Sequence, residues 1–145
     1  MRKILPLLLA LLMLACNRTK HNSASDHAYS MLERVAELNA GGDKHGALAL
    51  ADSALRMHPA DTTRCWLLSE KAVTLVDMGR MADAVDVAQG AYRLAEKLHD
   101  VDAMLNLRGT MGIAYRRLGK TDSALVQYKE GIQMALAEHN AEYEI

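Results

Sequence analysis

The stretch from Leu105 to Glu138, LNLRGTMGIAYRRLGKTDSALVQYKEGIQMALAE, carries a spaced set of small and aromatic residues that recurs twice upstream. Within its 34 residues the set occupies positions 8, 11, 15, 20, 24 and 27, which are Gly112, Tyr115, Gly119, Ala124, Tyr128 and Gly131. The glycines equivalent to Gly119 are Gly42 and Gly79, and an alanine follows each of them five residues later. A recurrence of this length is typical of a helical solenoid.

This pattern resembles the tetratricopeptide repeat, a unit of 34 residues in which helix A is followed by an antiparallel helix B. The three candidate units are residues 28–61, 65–98 and 105–138. Small residues at positions 8, 20 and 27 let two helices approach to about 8–10 Å. Position 4 departs from the family pattern, because it is Met31, Leu68 or Arg108 where tryptophan is usual. The resemblance implies an all-α fold, an antiparallel helix-pair solenoid of three repeats wound as a right-handed superhelix.

The composition favours a single helical domain. The chain has 145 residues, of which 50% are apolar but only 4% are aromatic. Apolar residues recur every three to four positions, and no segment alternates apolar and polar residues in the manner of a strand. Without Arg2 and Lys3, 15 of the 17 basic side chains remain against 18 acidic ones. This negative balance argues against a nucleic-acid binder.

Residues 1–15 have the organisation of a signal peptide. Two basic residues precede an apolar run from Ile4 to Leu14, and Ala15 supplies a small residue before Cys16. The run is too short to span a hydrocarbon core, which needs about 20 residues. A cysteine directly after the cut resembles the bacterial lipoprotein signal, in which Cys16 becomes the lipidated first residue. Met13 and Leu14 depart from that pattern, in which a leucine and then a small residue are usual. Plain secretion, with Cys16 incidental, therefore stays open.

Residues 16–25 are polar and lack apolar periodicity, which predicts a lipidated flexible tether ahead of the repeats. Residue 17 is asparagine rather than aspartate, and the resemblance to lipoproteins then implies the outer membrane. We therefore expect a protein of the bacterial cell envelope, anchored to the membrane by lipid and facing the periplasm.

Turn and cap signals divide the repeats into six predicted helices. Their approximate spans are 26–39, 43–57, 62–78, 81–98, 101–118 and 121–138. Asp61 or Thr62 is expected to cap the third helix and Asp100 the fifth. Successive units begin more than 34 residues apart. The extra residues between one B helix and the next A helix are expected to lengthen those two helices rather than to form a loop. Residues 139–145 are expected to begin a further helix or to be a truncated end.

No catalytic or metal-binding motif accompanies the repeats. The six histidines lie at turns, tether or tail with none four residues from another, whereas a zinc site needs convergent ligands. No phosphate-binding glycine loop or nucleophile-elbow serine occurs. Once Cys16 carries lipid, Cys65 is the remaining cysteine, and its repeat position predicts packing rather than a reactive thiol. We expect no enzyme activity, no cofactor and no metal.

The resemblance also implies where a partner binds, because in this family the A helices line the concave face. The corresponding groove residues are Tyr29, Leu32, Trp66, Ser69, Val73, Asn106, Ile113, Arg116 and Arg117. Such a mixture suits an amphipathic helix or an extended apolar segment whose acidic end meets the two arginines. Trp66 has a second interpretation, since buried tryptophans in helical arrays commonly pack in the core.

Two functions follow. The first is a periplasmic, membrane-anchored adaptor that binds a protein or peptide through the concave face. The alternative is the N-terminal sensory or interaction part of a longer membrane-associated regulator or assembly factor, truncated after the third repeat. Apolar residues of the last helix, among them Leu125, Ile132 and Leu136, have little sequence after them to cover them, and solenoids need a polar cap. Self-association through this helix, or a longer array, is therefore expected.

Overall fold

A computed structural model of the chain describes residues 25–143, and these residues form α-helices and turns without a strand. Helix α1 covers residues 25–40, and it is followed by α2 (Lys44–Leu55), α3 (Asp61–Asp77), α4 (Met81–Leu98), α5 (Val101–Arg117) and α6 (Thr121–Tyr143). From α2 onward each helix packs against the next, and α3 also contacts α5. The expected all-α solenoid of helix pairs is confirmed. The predicted signal peptide and Cys16 lie outside the described residues.

A glycine in the left-handed backbone region closes each helix pair. The φ angles are +87° at Gly42, +79° at Gly79 and +74° at Gly119. In each turn the amide after the glycine donates to a carbonyl five residues back, as Arg80 does to Leu75 at 2.8 Å. This is the Schellman arrangement, which needs a residue that tolerates positive φ. The recurring glycines therefore set the reversal between the two helices of every repeat.

The helix caps agree with the sequence in one predicted case and differ in the other. The Asp100 carboxylate accepts a hydrogen bond from the Ala103 amide at 2.9 Å, as expected for the cap of α5. The prediction that Asp61 or Thr62 caps α3 is wrong. The carbonyl of Ala60 already accepts the first helical bond, from the Arg64 amide at 2.8 Å, so the helix begins at Asp61. Asp61 lies in the first turn, where a negative charge suits the helix dipole.

The extra residues at the two junctions between repeats are accommodated differently. Between α4 and α5 only residues 99–100 are non-helical, so the inserted residues lengthen the helices as predicted. Between α2 and α3, residues 56–60 form a loop, and the prediction of longer helices is wrong there. Pro59 explains the difference, because proline disfavours helical backbone at the preceding residue and cannot donate a helical hydrogen bond.

Helix α6 continues through residue 143, whereas the sequence suggested an end near Glu138 and a new helix after it. Residues 132–143 contain no glycine or proline, and alanine and glutamate are good helix formers. No turn interrupts residues 138–143, so α6 is the longest of the helices described.

The core is built mainly from alanine, with larger side chains compensating locally. Positions 8 and 24 of the repeat pair as Val35 with Ala51 and as Ala72 with Ala88, all fully buried. In the third repeat the pair is Gly112 with Tyr128. A Cβ atom on Gly112 would lie 2.7 Å from Cζ of the Tyr128 ring, so only glycine leaves room for that ring. At this crossing the larger side chain thus lies on the B helix in the third repeat, as Tyr128, whereas it lies on the A helix in the first repeat, as Val35.

Candidate partner-binding surface

The candidate surface is the side on which α1, α3 and α5, the first helices of the three pairs, adjoin. We call it the A-helix surface. Helix α3 contacts α5 directly, and α1 reaches α3 through the hydrogen bonds of Asn39. Hydrogen bonds between residues 31 to 41 positions apart cross from one repeat to the next along this surface. These bonds set the relative placement of the helices that would meet a partner.

Asn39 joins α1 to α3. Its amide nitrogen donates to the Glu70 carboxylate at 2.8 Å, and its side-chain oxygen accepts from the Thr74 hydroxyl at 2.8 Å. Lys44 donates to the Asn39 carbonyl at 2.6 Å and forms an ion pair with Asp77 at 2.8 Å. Asn39 is only 8% exposed, so partners for its polar groups are required for stability. The repeat pattern in the sequence did not predict this network.

Two of the predicted groove residues in α3 are occupied by contacts with the next repeat. The Ser69 hydroxyl donates to the Asn106 side-chain oxygen at 2.9 Å, and Ser69 is buried, so it does not face a partner. The Trp66 indole nitrogen donates to the Asp100 carboxylate at 3.1 Å while its ring packs against the central core cluster. The second interpretation of Trp66, as a residue that packs in the core, describes its contacts. Leu32 of α1 likewise packs against buried residues of the first repeat.

Arg117 adds a further bond between repeats, because its guanidinium donates to the Val76 carbonyl at 3.1 Å. That carbonyl lies in the last turn of α3 and also accepts a hydrogen bond from the Gly79 amide at 3.1 Å. Arg116, its neighbour, is exposed, and its guanidinium makes no hydrogen bond or ion pair with any residue of 25–143. The two arginines thus differ: one fixes the array and one stays available.

The residues left for a partner form a smaller set than the sequence suggested. Tyr29 is 54% exposed and Ile113 is 36% exposed, while Val73 is half-buried and Asn106 is exposed beyond its bond to Ser69. Ile113 and Arg116 are three residues apart on α5 and therefore share a face. Ile113 and the unpaired guanidinium of Arg116 are therefore the part of the A-helix surface that is available to a partner.

Arg108 has a structural role that sequence analysis missed. Its guanidinium forms an ion pair with Glu130 at 2.5 Å and donates to the Gln127 side chain at 3.0 Å. It also lies over the Tyr92 ring, 4.7 Å from the centroid. Arg108 thus links α4, α5 and α6 on the side away from the A-helix surface, beside a cleft of about 250 Å³. The available signal was an arginine at position 4, where the family has an aromatic residue.

Cys65 is a packing residue, as the sequence predicted. It is fully buried, and its Sγ atom lies 3.7 Å from the Ala91 carbonyl. Burial raises the pKa of its thiol from 9.0 to about 11, and the Asp100 carboxylate adds to the rise. Because the thiolate is the reactive form, this thiol is inert near neutral pH.

Within residues 25–143, no three histidine, cysteine, aspartate or glutamate side chains converge as a metal site would require. None of the helices described there combines the length and the apolar character needed to cross a membrane.

Comparison with known proteins supports the repeat assignment. The family profile described as Tetratricopeptide repeat matches residues 63–137, which comprise α4 and α5 and most of α3 and α6. The match spans just over half of the 145 residues and leaves α1 and α2 outside it. No curated protein and no solved structure matches the chain.

Proposed function

Because the chain belongs to the tetratricopeptide repeat family, we propose that it is an adaptor that binds a protein or peptide through the A-helix surface. Repeats of this family typically serve protein–protein interaction, and the adaptor role follows from that. The observation that carries the choice of surface is Ile113 beside Arg116. An apolar side chain and a cation without a side-chain partner lie on one face of α5, and the half-buried Val73 occupies the same repeat position in α3 as Ile113 does in α5.

The chemistry of this surface specifies the kind of segment it binds. Val73 and Ile113 suit one or two aliphatic side chains of a helix or an extended peptide. Arg116 suits a carboxylate, and an arginine can hold a carboxylate by two parallel hydrogen bonds. The partner segment is therefore apolar with an acidic residue near one end.

The frame beneath the surface is ordered before any partner arrives. Asn39, Ser69 and Arg117 already hold neighbouring repeats at fixed distances through their hydrogen bonds. Binding to such a frame avoids most of the entropy cost of ordering the receptor. Contacts at Ile113 and Arg116 should therefore contribute directly to affinity.

A photo-crosslinking residue placed at Ile113 tests this proposal in cells that make the protein. We expect a discrete adduct from position 113 and none from position 96, where the exposed Glu96 lies on α4. The adduct should disappear with Arg116→Glu and persist with Lys97→Glu, a matched charge reversal on α4. Equal labelling from both positions, or an adduct indifferent to Arg116→Glu, would refute the assignment.

The place of action is a second part of the proposal: Cys16 is the lipidated first residue, and the protein faces the periplasm from the outer membrane. The support is the basic pair, the short apolar run and Ala15 before Cys16. Acyl chains bind a bilayer with about 0.8 kcal/mol per buried methylene, so several chains anchor a domain stably. Mass spectrometry of the membrane fraction should find an acylated Cys16. A Cys16→Ser protein that is still cleaved and membrane-bound would refute it.

A further inference from the structure

The second helix of the first repeat shows how this fold covers a B helix. In α2, Leu48, Asp52 and Leu55 occupy positions 21, 25 and 28 of the repeat. The two leucines pack against buried clusters that include residues of α3, and Asp52 forms an ion pair with Lys71 of α3 at 2.6 Å. The following A helix therefore covers this face with apolar side chains on both sides of one charge pair.

Helix α4 is covered by α5 in the same way. Its residues at positions 21 and 28 are Val85, which is buried in a cluster with Ala114, and Tyr92, which packs against the cluster containing Leu107. At position 25, Gln89 donates to the Tyr115 hydroxyl at 3.0 Å. Two occupied examples of one binding mode are thus present in the molecule.

In α6 the same three positions are uncovered. Leu125 and Ile132, at positions 21 and 28, are 59% and 61% exposed, and the ammonium group of Lys129 at position 25 makes no hydrogen bond or ion pair within residues 25–143. Apolar residues continue at two neighbouring positions, where Val126 is 49% and Leu136 is 56% exposed. Helix α4 has Asp86 and Glu96 at those two positions. Helix α6 is therefore more apolar on this face than a helix whose face is already covered.

We infer that this face of α6 binds an amphipathic helix of another protein, seated as α3 sits on α2, with a carboxylate opposite Lys129. The apolar part of the inference rests on Leu125 and Ile132, whose equivalents are covered in both other repeats. The charge of the partner helix is inferred from the ion pair between Asp52 and Lys71. Because Lys129 occupies the repeat position of Asp52 but has the opposite charge, its partner should carry a carboxylate. This goes beyond the proposed function, since α6 lies outside the A-helix surface.

Charge also argues against stacking of a second copy on α6 through its α1. Position 7, where α3 carries Lys71, is Arg34 in α1. Arg34 would meet Lys129, and like charges in an interface cost affinity. The flanking residues at positions 3 and 10 are Ser30 and Glu37, both exposed and polar. Helix α1 therefore lacks the apolar side chains that this face of α6 needs.

A peptide with the sequence of α3, residues 61–77 with Cys65→Ala, serves as the probe, because α3 already covers an equivalent face. We would compare it with the same peptide carrying Lys71→Glu, by fluorescence anisotropy against the full chain. The Lys71→Glu peptide should bind roughly five- to tenfold more tightly, because an attractive pair with Lys129 replaces a repulsive one. The protein variant Lys129→Glu should invert this preference.

Three controls decide between the explanations. Leu136→Glu should abolish binding of both peptides, and because Leu136 is exposed it should leave the fold intact by circular dichroism. Ile113→Glu should leave peptide binding unchanged, and Leu136→Glu should leave crosslinking from position 113 unchanged, so the two proposals can fail separately. Absence of binding, or a preference that Lys129→Glu does not invert, overturns the inference. A stable dimer dissociated by Leu136→Glu also overturns it, because a second copy would then cover the face.

Discussion

The two ends of the helical array differ in the residues at equivalent repeat positions. At the α1 end, positions 3, 7 and 10 are Ser30, Arg34 and Glu37, all exposed, with an Arg34–Glu37 ion pair at 2.6 Å. In α5 the same positions are Leu107, Met111 and Ala114, all buried. In α6, two of the three positions that the other B helices keep covered, Leu125 and Ile132, are apolar and exposed. The outward face of α1 is thus polar, whereas the outward face of α6 is largely apolar.

The two ends show that a few side chains per helix decide whether the outward face of that helix is polar or apolar. All three pairs share the same glycine turn and an alanine at position 20, so the reversal between helices A and B is alike in each pair. In α1, the polar side chains at these positions can face solvent. In α6, Leu125 and Ile132 are exposed instead, and the proposed role of this helix as a binding surface rests on that difference.

The largest expected change in stability tests whether the helix crossings of the first and third repeats are equally well packed. Ala47 and Ala124 occupy position 20 in the first and third repeats, and both are buried. Leucine at either position should overpack the helix crossing and lower the free energy of unfolding by roughly 2–3 kcal/mol. Denaturant unfolding of Ala47→Leu and Ala124→Leu measures this. A cost confined to Ala47→Leu would mean that α6 is loosely attached, and the exposed face would then reflect poor packing.

A smaller change in the free energy of unfolding, on the order of 2 kcal/mol, is expected at high pH from ionisation of Cys65 in the middle of the array. The pKa of the Cys65 thiol is about 11 in the folded protein and 9.0 without the protein's influence. The unfolded thiol therefore ionises first, so its contribution to stability is complete below pH 9 and is lost as pH rises toward 11. Unfolding of the native protein and Cys65→Ala should be compared across this range, since other groups titrate there too. A constant stability difference between them from pH 8 to 11 would show that the thiol does not titrate as described.

Gly112 tests how α6 is attached to α5. A methyl group there would meet the Tyr128 ring, and the ring must move to accept it. We expect Gly112→Ala to lower the free energy of unfolding by about 1–2 kcal/mol, because overpacking outweighs the better helix propensity of alanine. In a Tyr128→Ala background the same substitution should cost close to nothing. An equal cost in both backgrounds would contradict the close contact.

The smallest effect compares position 7 at the end with position 7 inside the array. Arg34 and Glu37 form an ion pair whose side chains are more than 60% exposed, whereas Lys71 pairs with Asp52 with only 24% of its side chain exposed. Arg34→Ala should therefore change the free energy of unfolding by less than about 0.5 kcal/mol, and Lys71→Ala by about 1 kcal/mol. The reverse order would indicate that α1 is not the solvent-facing end.

The repeat spacing predicted those parts of the fold that depend on local chemistry. Helix α4 runs from Met81 to Leu98 as expected, and Asp100 caps α5, because turn glycines and cap residues act within a few positions of themselves. At the junction before α3, residues 56–60 form a connection instead of lengthening the helices, because Pro59 cannot continue the helical hydrogen-bond pattern. Residues 139–143 continue α6 instead of beginning a further helix, because no glycine or proline separates them from it.

The candidate site was less predictable, because its contacts join distant residues. Family positions indicated which side chains face the A-helix surface, but not which of them bond to each other. Ser69 and Asn106 are 37 residues apart, and their hydrogen bond depends on the axial offset between α3 and α5. Arg108 shows the same limit, since its pairing with Glu130 depends on how α6 lies on α5. Periodicity predicts the face of a helix on which a residue lies. Predicting which residues of two helices bond to each other also requires the relative placement of those helices.

The most direct measurement of the open end is the binding of an apolar fluorescent dye to two triple variants of the full chain. One variant carries Leu125→Gln, Ile132→Gln and Leu136→Gln on α6. The other carries Tyr29→Gln, Ile113→Gln and Leu118→Gln, which removes exposed apolar side chains elsewhere. The α6 variant should lose most of the dye fluorescence of the native protein, and the second variant should retain most of it. Equal losses, or a larger loss in the second variant, would contradict an open apolar end at α6.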